Sequence, residues 1–263
     1  MSSVSVLINI SALFISFIIL VLPLNLKTVN SINKMNFPRT ITDIEHVMYI
    51  NLEHRLDRRY HIEEELKINM GLTCEPIWFK AIKHRIGAIG CSLSHIACLE
   101  SAKNNNLPYV MICEDDLRIV NPKVFNKSFN SLLESNIEWD VLLLAGNNVG
   151  PIRFLDINAV QIFRCQTTTG YIVKQHYYDK MINNFKEGVT QLMRNPSMPF
   201  RYAIDIYWFS LQEKDCWILI FPLTVTQRSD YSDIEQKQVN YDKLMLTLEK
   251  RRPQINSLIF SNK

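Results

Sequence analysis

Five residues suited to a buried strand, Tyr109-Val110-Met111-Ile112-Cys113, run directly into three acids, Glu114-Asp115-Asp116. A strand interior gains free energy from burial, whereas three adjacent carboxylates repel one another and resist leaving water. Folding stability alone does not place the two together at the end of a strand. A cation, or a substrate that brings one, makes sense of the arrangement. The competing reading is a solvated loop after a strand, and the triplet by itself leaves that open. If the chain stays extended, Glu114 and Asp116 point to one side and Asp115 to the other. Two carboxylates on one side can hold a hard divalent cation through oxygen, with positions left for phosphate oxygens.

A short strand needs covering layers, and the chain has the length to supply them. Its 263 residues suit one substantial domain with a real core. A formal net charge of +3, with Lys and Arg scattered, argues against a nucleic-acid partner. Six cysteines at 74, 91, 98, 113, 165 and 216 contain no C-x-x-C pair, so they read as free thiols rather than a zinc or disulfide framework, with one bridge left open.

The N-terminus departs from the rest. Residues 4–22 carry no charge, about the minimum that crosses a bilayer as a helix. Residues 1–26 are therefore expected to be a single-pass membrane anchor or an uncleaved signal, 27–43 a stem, 44–252 the folded domain and 253–263 a tail. Lys27, Lys34 and Arg39 follow the span, which favours a cytosolic domain; Asn126-Lys127-Ser128 fits an N-glycosylation acceptor, a triplet common by chance. The membrane side stays open.

Within the domain, residues 46–52 predict a first strand and 56–70 a helix with Leu56, Tyr60, Leu66 and Met70 near one face, closed by Gly71. A strand over 75–81 follows. A glycine-bearing turn at Gly87 and Gly90 then opens a helix to about Lys103, with Leu93, Ile96, Ala97 and Leu99 inward. Strand–helix–strand–helix–strand in this span predicts an α/β domain around a mostly parallel sheet. Further on, 124–133 predicts a helix, 140–144 a strand and 146–151 a turn-rich loop. Segments 160–164 and 168–173 read as two strands that a hairpin could join. Residues 176–185 predict a helix and 195–200 a loop. Residues 217–226 read as a strand interrupted by Pro222, and 237–252 as a helix.

Several residues could act beside the triplet. Asn51, Arg55, Asp57, Arg58 and Arg59 lie at or past the end of the first strand, where arginine can pair with phosphate. Gly87, Gly90, Ser92, Ser94 and His95 lie where a helix begins, and unpaired N–H groups there favour an anion. Asp205 stands in an apolar, aromatic stretch, Tyr202 to Trp208.

These motifs resemble glycosyltransferase family 25, which includes lipooligosaccharide and procollagen galactosyltransferases. The resembling residues are Ile50-Asn51-Leu52, Arg55, Asp57-Arg58, Ala81, Gly87, Gly90-Cys91, Ser94-His95 and Glu114-Asp115-Asp116. Trp139-Asp140, Thr169-Gly170-Tyr171, Asp205, Gln227 and Ser232-Asp233-Ile234 follow in the family's order, so the likeness runs from about His46 to Ile234. Gly170 departs from the family's usual residue between the Thr and the Tyr.

The resemblance implies an A-type glycosyltransferase fold, Rossmann-like, with helices flanking a mostly parallel sheet. It also implies a UDP-sugar donor, a divalent metal (manganese first) and an inverting transfer of a hexose, galactose favoured. By that match Asp116 is the leading metal ligand, with Glu114 or Asp115 assisting. Asn51, Arg55 and Arg58 line the nucleotide side, and Ser94 and His95 lie near the donor. Asp205 is the first choice of general base and Asp233 the reserve. The acceptor is a glycan, a lipid-linked saccharide or a glycoprotein. Two other functions fit the same acids: a metal-dependent phosphohydrolase or nuclease, and a non-catalytic glycan-binding protein.

Overall fold

The computed structural model describes residues 37–248 apart from 233 and 235. The expected anchor, most of the stem, the C-terminal tail and Asp233 lie outside the described residues. Among the described residues no helix is long and apolar enough to cross a membrane.

An eight-stranded sheet organises the domain. In chain order its strands are β1 (Val47–Asn51), β2 (Ile77–Lys80), β3 (Tyr109–Glu114), β4 (Val141–Leu143), β5 (Ile152–Phe154), β6 (Ala159–Ile162), β7 (Gly170–Lys174) and β8 (Trp217–Ile220). Their spatial order is β2-β1-β3-β7-β4-β8-β6-β5. Six strands run the same way, while β7 and β6 are reversed. The sheet is thus mixed α/β and mostly parallel in strand direction, as predicted. The two reversals were not.

Alternation along each strand divides the side chains between two covered faces. Met48, Ile50, Val110, Ile112, Tyr171, Val173, Trp217 and Leu219 join the main core with the helices α2 (Gly87–Asn104) and α4 (Tyr178–Arg194). On the other face α1 (Leu56–Glu64) reaches Tyr49, whose hydroxyl donates to Glu63, and α3 (Pro122–Glu134) buries Phe125, Phe129 and Leu132. With both faces covered, Tyr109 to Cys113 is buried throughout, which is why it reads as an unbroken apolar run.

Several expectations are corrected. Leu56 and Tyr60 are exposed, and the buried side of α1 and its continuation is Arg58, Ile62, Glu65 and Leu66. A π-turn over Glu65–Asn69 adds a residue to the helical repeat, so one 3.6-residue stripe cannot run the full length. Gly71, at φ 81°, does end the helix in the left-handed region. On its outer side Glu63 pairs with Arg59 and Lys67 with Glu75. Strands β6 and β7 are not a hairpin, because β7 inserts between β3 and β4 while β6 pairs with β8 and β5. Beyond β8 and the cis Phe221–Pro222 bond, Val225–Gln227 leaves the main sheet and pairs instead with Leu117–Ile119. Lys237–Val239 is a strand against Asp230–Ser232, followed by a short helix, Asp242–Met245, in place of the long helix expected. Asn126-Lys127-Ser128 lies within α3 with Ser128 buried, which does not suit a glycan acceptor. All six cysteines are free thiols.

Gly90 shows how tightly the β2–α2 connection is held. A Cβ there would lie 2.5 Å from the Ile82 carbonyl oxygen, a backbone atom that cannot swing aside. Gly90→Ala is expected to cost about 1–3 kcal/mol through overpacking and to displace the 82–86 loop, measurable by urea denaturation. An unchanged midpoint would show that the loop has slack.

Candidate active site

The C-terminal ends of β1 and β3 and the first turns of α2 surround a cavity of about 810 Å³. Ligands collect at the carboxyl ends of parallel strands, where connecting loops diverge. Glu114, Asp115 and Asp116 all line this cavity, as do Arg58, Ser94, His95 and Asp205. Gln227, Ser232 and Ile234 approach it from the C-terminal segment. Residues from five separate stretches of chain thus meet in one place.

The acids do not follow strand alternation. β3 ends at Glu114, and Asp115 and Asp116 form a turn, so each carboxylate has its own surroundings. Asp115 accepts from Asn51 Nδ2 at 2.8 Å and from Arg58 at 3.0 Å. Asp116 Oδ2 lies 3.4 Å from Arg58, while its Oδ1 is buried with no hydrogen-bond partner. Glu114 Oε1 accepts from Thr168 Oγ1 at 2.7 Å, from His95 Nε2 at 3.3 Å and from the Cys91 thiol at 3.5 Å. Gln227 donates to Oε2 at 3.4 Å. A carboxylate only accepts, so Nε2–H of His95 donates, and Nδ1 accepts from the Tyr171 hydroxyl at 3.0 Å.

Electrostatics separate the three acids. Burial, with Glu114 and Asp115 nearby, pushes the Asp116 carboxyl well above the ordinary carboxylate range, and Arg58 offsets this only in part. Burial also raises Asp115, against the pull of Arg58 and Asn51. Burial would raise Glu114 too, but the hydrogen bonds led by His95 and Thr168 bring it below its usual value. The geometry therefore ranks Asp116 ahead of Glu114 for a hard cation. Asp116 has an unpaired oxygen, and the oxygens of Glu114 are already engaged.

The basic residues are distributed differently from the expectation. Arg58 is an internal counter-ion, bonding Asp115, Asp116, Asp230 and the Tyr231 carbonyl. Arg55 pairs with Asp57 and Asp230 and does not line the cavity. Asp230, absent from the sequence reading, is the acid that holds both arginines. At the cavity mouth stand exposed Lys83 and Arg85, just ahead of the N-terminus of α2. Neither is among the residues expected from sequence at the site; their signal is the basic run Lys83-His84-Arg85 immediately before Gly87. Ser94 is structural here, its hydroxyl donating to the Gly90 carbonyl and accepting from the Ile82 N–H.

Asp205 opens the short helix Ile204–Tyr207, and its Oδ2 accepts from the Thr167 N–H at 3.1 Å. Thr167 is held at φ 75°, a conformation that a β-branched residue rarely adopts. The next residue, Thr168, holds Glu114. Thr167 and Thr168 therefore each hold an acid that lines the cavity.

Residues 85–149, which contain the start of α2, β3 and the acidic triplet, match the family model described as glycosyltransferase family 25 (LPS biosynthesis protein). Over these residues the chain is similar to that family. The matched segment supplies His95, Cys91 and the Glu114-Asp115-Asp116 triplet of the cavity. No curated protein matches the chain. Three solved structures share a shallow likeness. A mannose-1-phosphate geranyltransferase from Thermus thermophilus is 10% identical with a TM-score of 0.36, over 66% of this chain and 58% of that one. A glycosyltransferase involved in glycosylation of the major capsid of PBCV-1 is 8% identical with a TM-score of 0.36, over 67% and 91%. A cytidylyltransferase from Leptospira borgpetersenii is 14% identical with a TM-score of 0.29, over 65% and 56%. The chain thus spans little more than half the length of the first and third. Likenesses this shallow carry no argument about function.

Proposed function

We propose that the chain is an inverting, metal-dependent glycosyltransferase of the A-type fold that moves a hexose, galactose favoured, from a UDP-sugar to an acceptor hydroxyl. The acceptor classes are a glycan, a lipid-linked saccharide or a glycoprotein. The observation that supports this best is the buried, unpaired Oδ1 of Asp116, a residue that lines the cavity and lies within the segment that matches the family. A buried carboxyl oxygen without a partner is costly unless something binds it. Manganese or another hard divalent cation suits a carboxylate-oxygen site led by Asp116, the one acid of the three with an unpaired oxygen. When bound, such a cation would supply charge stabilisation for the departing diphosphate.

The chain's own groups account for the remaining requirements. Arg58 fixes Asp115 and Asp116 in place, so they need not reorganise as charge develops. Lys83, Arg85 and the first N–H groups of α2 offer cationic and dipolar partners to phosphate at the cavity mouth. Asn51 orients Asp115, and His95 orients Glu114. Asp205 is the proposed general base, its carboxylate aimed by the Thr167 N–H to take the proton of the acceptor hydroxyl. Asp205→Asn is expected to lower kcat by roughly 10²–10⁴-fold, the usual worth of a general base, with little change in donor KM. A donor KM that rises with unchanged kcat would remove Asp205 from that role.

The deciding assay is UDP release from UDP-galactose, UDP-glucose and UDP-N-acetylhexosamines, with and without manganese. Manganese-stimulated release from at least one donor is expected. Cleavage of DNA or a phosphoester without UDP-sugar turnover would point to a phosphohydrolase. UDP affinity indifferent to manganese, with no turnover on any acceptor, would point to a binding protein.

A further inference from the structure

Cys91, His95 and Glu114 form a second potential ligand set, chemically distinct from the acid pair. The Cys91 Sγ, His95 Nε2 and a Glu114 oxygen all lie within 4.8 Å of one another, and all three residues line the cavity. Glu114 Oε1 is 3.3 Å from Nε2 and 3.5 Å from Sγ. Bond lengths of about 2.0 Å to oxygen and nitrogen and 2.3 Å to sulfur put the O···N and O···S edges of a tetrahedron at about 3.3 and 3.5 Å. Two edges of a zinc tetrahedron are therefore already set, and the cavity offers room for a fourth ligand.

Independent contacts surround the three ligands as a metal site requires. Tyr171 Oη lies 3.0 Å from His95 Nδ1, on the ring edge away from the cluster. It can accept Nδ1–H when Nε2 gives up its proton position to a metal. Thr168 Oγ1 donates to Glu114 Oε1 and holds the carboxylate in orientation. Such partners of the ligating atoms fix tautomer and direction in metal sites. His95 is 1% exposed and its ring is stacked on Tyr171, so it is pre-oriented.

We infer that Cys91, His95 and Glu114 bind a borderline-soft divalent cation of the zinc class, at a site separate from the hard-cation position at Asp116. Thiolate and imidazole select such cations, whereas the carboxylates of Asp115 and Asp116 favour harder ones. On binding, the Cys91 S–H bond breaks, its proton passes to solvent, and the sulfur electron pair forms the bond to the metal. The His95 proton moves to Nδ1. No redox step is involved.

The test uses the full chain with Co2+ alone as a spectroscopic stand-in for zinc. A thiolate-to-cobalt charge-transfer band and intense visible bands of tetrahedral cobalt are expected, both abolished by added Zn2+. Cys91→Ser, with its fold checked by circular dichroism, should lose the charge-transfer band, while Asp116→Asn should keep it. Tyr171→Phe should weaken cobalt binding by about 10–100-fold, the usual effect of removing a partner of a ligating histidine. Absence of the band in the native protein, its survival in Cys91→Ser, its loss in Asp116→Asn or an unchanged affinity in Tyr171→Phe would each overturn the assignment. The readout is binding without turnover, so its failure is separate from any failure of the transferase reading.

Discussion

Arg58→Met is expected to lower the stability of the domain by about 3–5 kcal/mol, the cost of leaving buried charge without its partner. The Arg58 side chain is 9% exposed and faces Asp115, Asp116 and Asp230, which are 12%, 17% and 19% exposed. Methionine replaces its aliphatic stem but leaves the carboxylates facing one another. Some of the penalty is relieved if they take up protons, as burial already urges Asp115 and Asp116 to do. Adding Asp115→Asn to the Arg58→Met chain should then recover part of the loss, because one repelling charge is gone. Urea denaturation of the four chains of this double-mutant cycle measures the coupling. A loss under about 1 kcal/mol, the range of an exposed ion pair, would mean that solvent screens the cluster.

Asp116→Asn separates stability from function in the opposite sense. Transfer should fall by at least about 10²–10³-fold, the scale of losing one charge-stabilising element from a closed site. The metal-free protein, by contrast, should become more stable, since one of three crowded carboxylates becomes neutral while the shape is kept. A gain of about 1 kcal/mol is about 2–4 °C in Tm for a domain this size. Native protein at one hundred times the manganese Kd should gain about 2.7 kcal/mol by mass action, and Asp116→Asn should lose that response. An equal manganese-induced Tm shift in both chains would move the cation away from Asp116, whatever the activity showed.

These two expectations rest on features with unequal sequence signals. The Tyr109–Asp116 stretch announced a buried strand ending in acids, which the structure places at a cavity, because burial on both faces leaves an unbroken apolar run and the acids stop it abruptly. The β1–α1–β2–α2–β3 order was legible for a related reason: helical and extended periods differ, and Gly71, Gly87 and Pro108 mark boundaries. The helix expected over 237–252 failed because a charged, turn-poor segment satisfies helical composition equally well when its partner is a distant strand. The inward face of α1 failed because a π-turn adds a residue to the repeat, and no residue type signals it.

Within the site, the sequence alone determined which groups were present: Glu114, Asp115 and Asp116 at a strand's end, His95 on the helix that Gly87 opens, Asp205 among aromatics. Only the tertiary structure decided what each could do. It turned the chain after Glu114, which broke the alternation expected of the triplet. Arg58, read from the sequence as a phosphate ligand, became a counter-ion, because Asp230 from 172 residues away reached it first. It also brought Thr168, Cys91 and Gln227 onto Glu114 and left Asp116 Oδ1 without a partner. Residue type is local and can be read along the chain. Charge pairing and desolvation depend on neighbours that the fold supplies, and those set the difference between one carboxylate and the next.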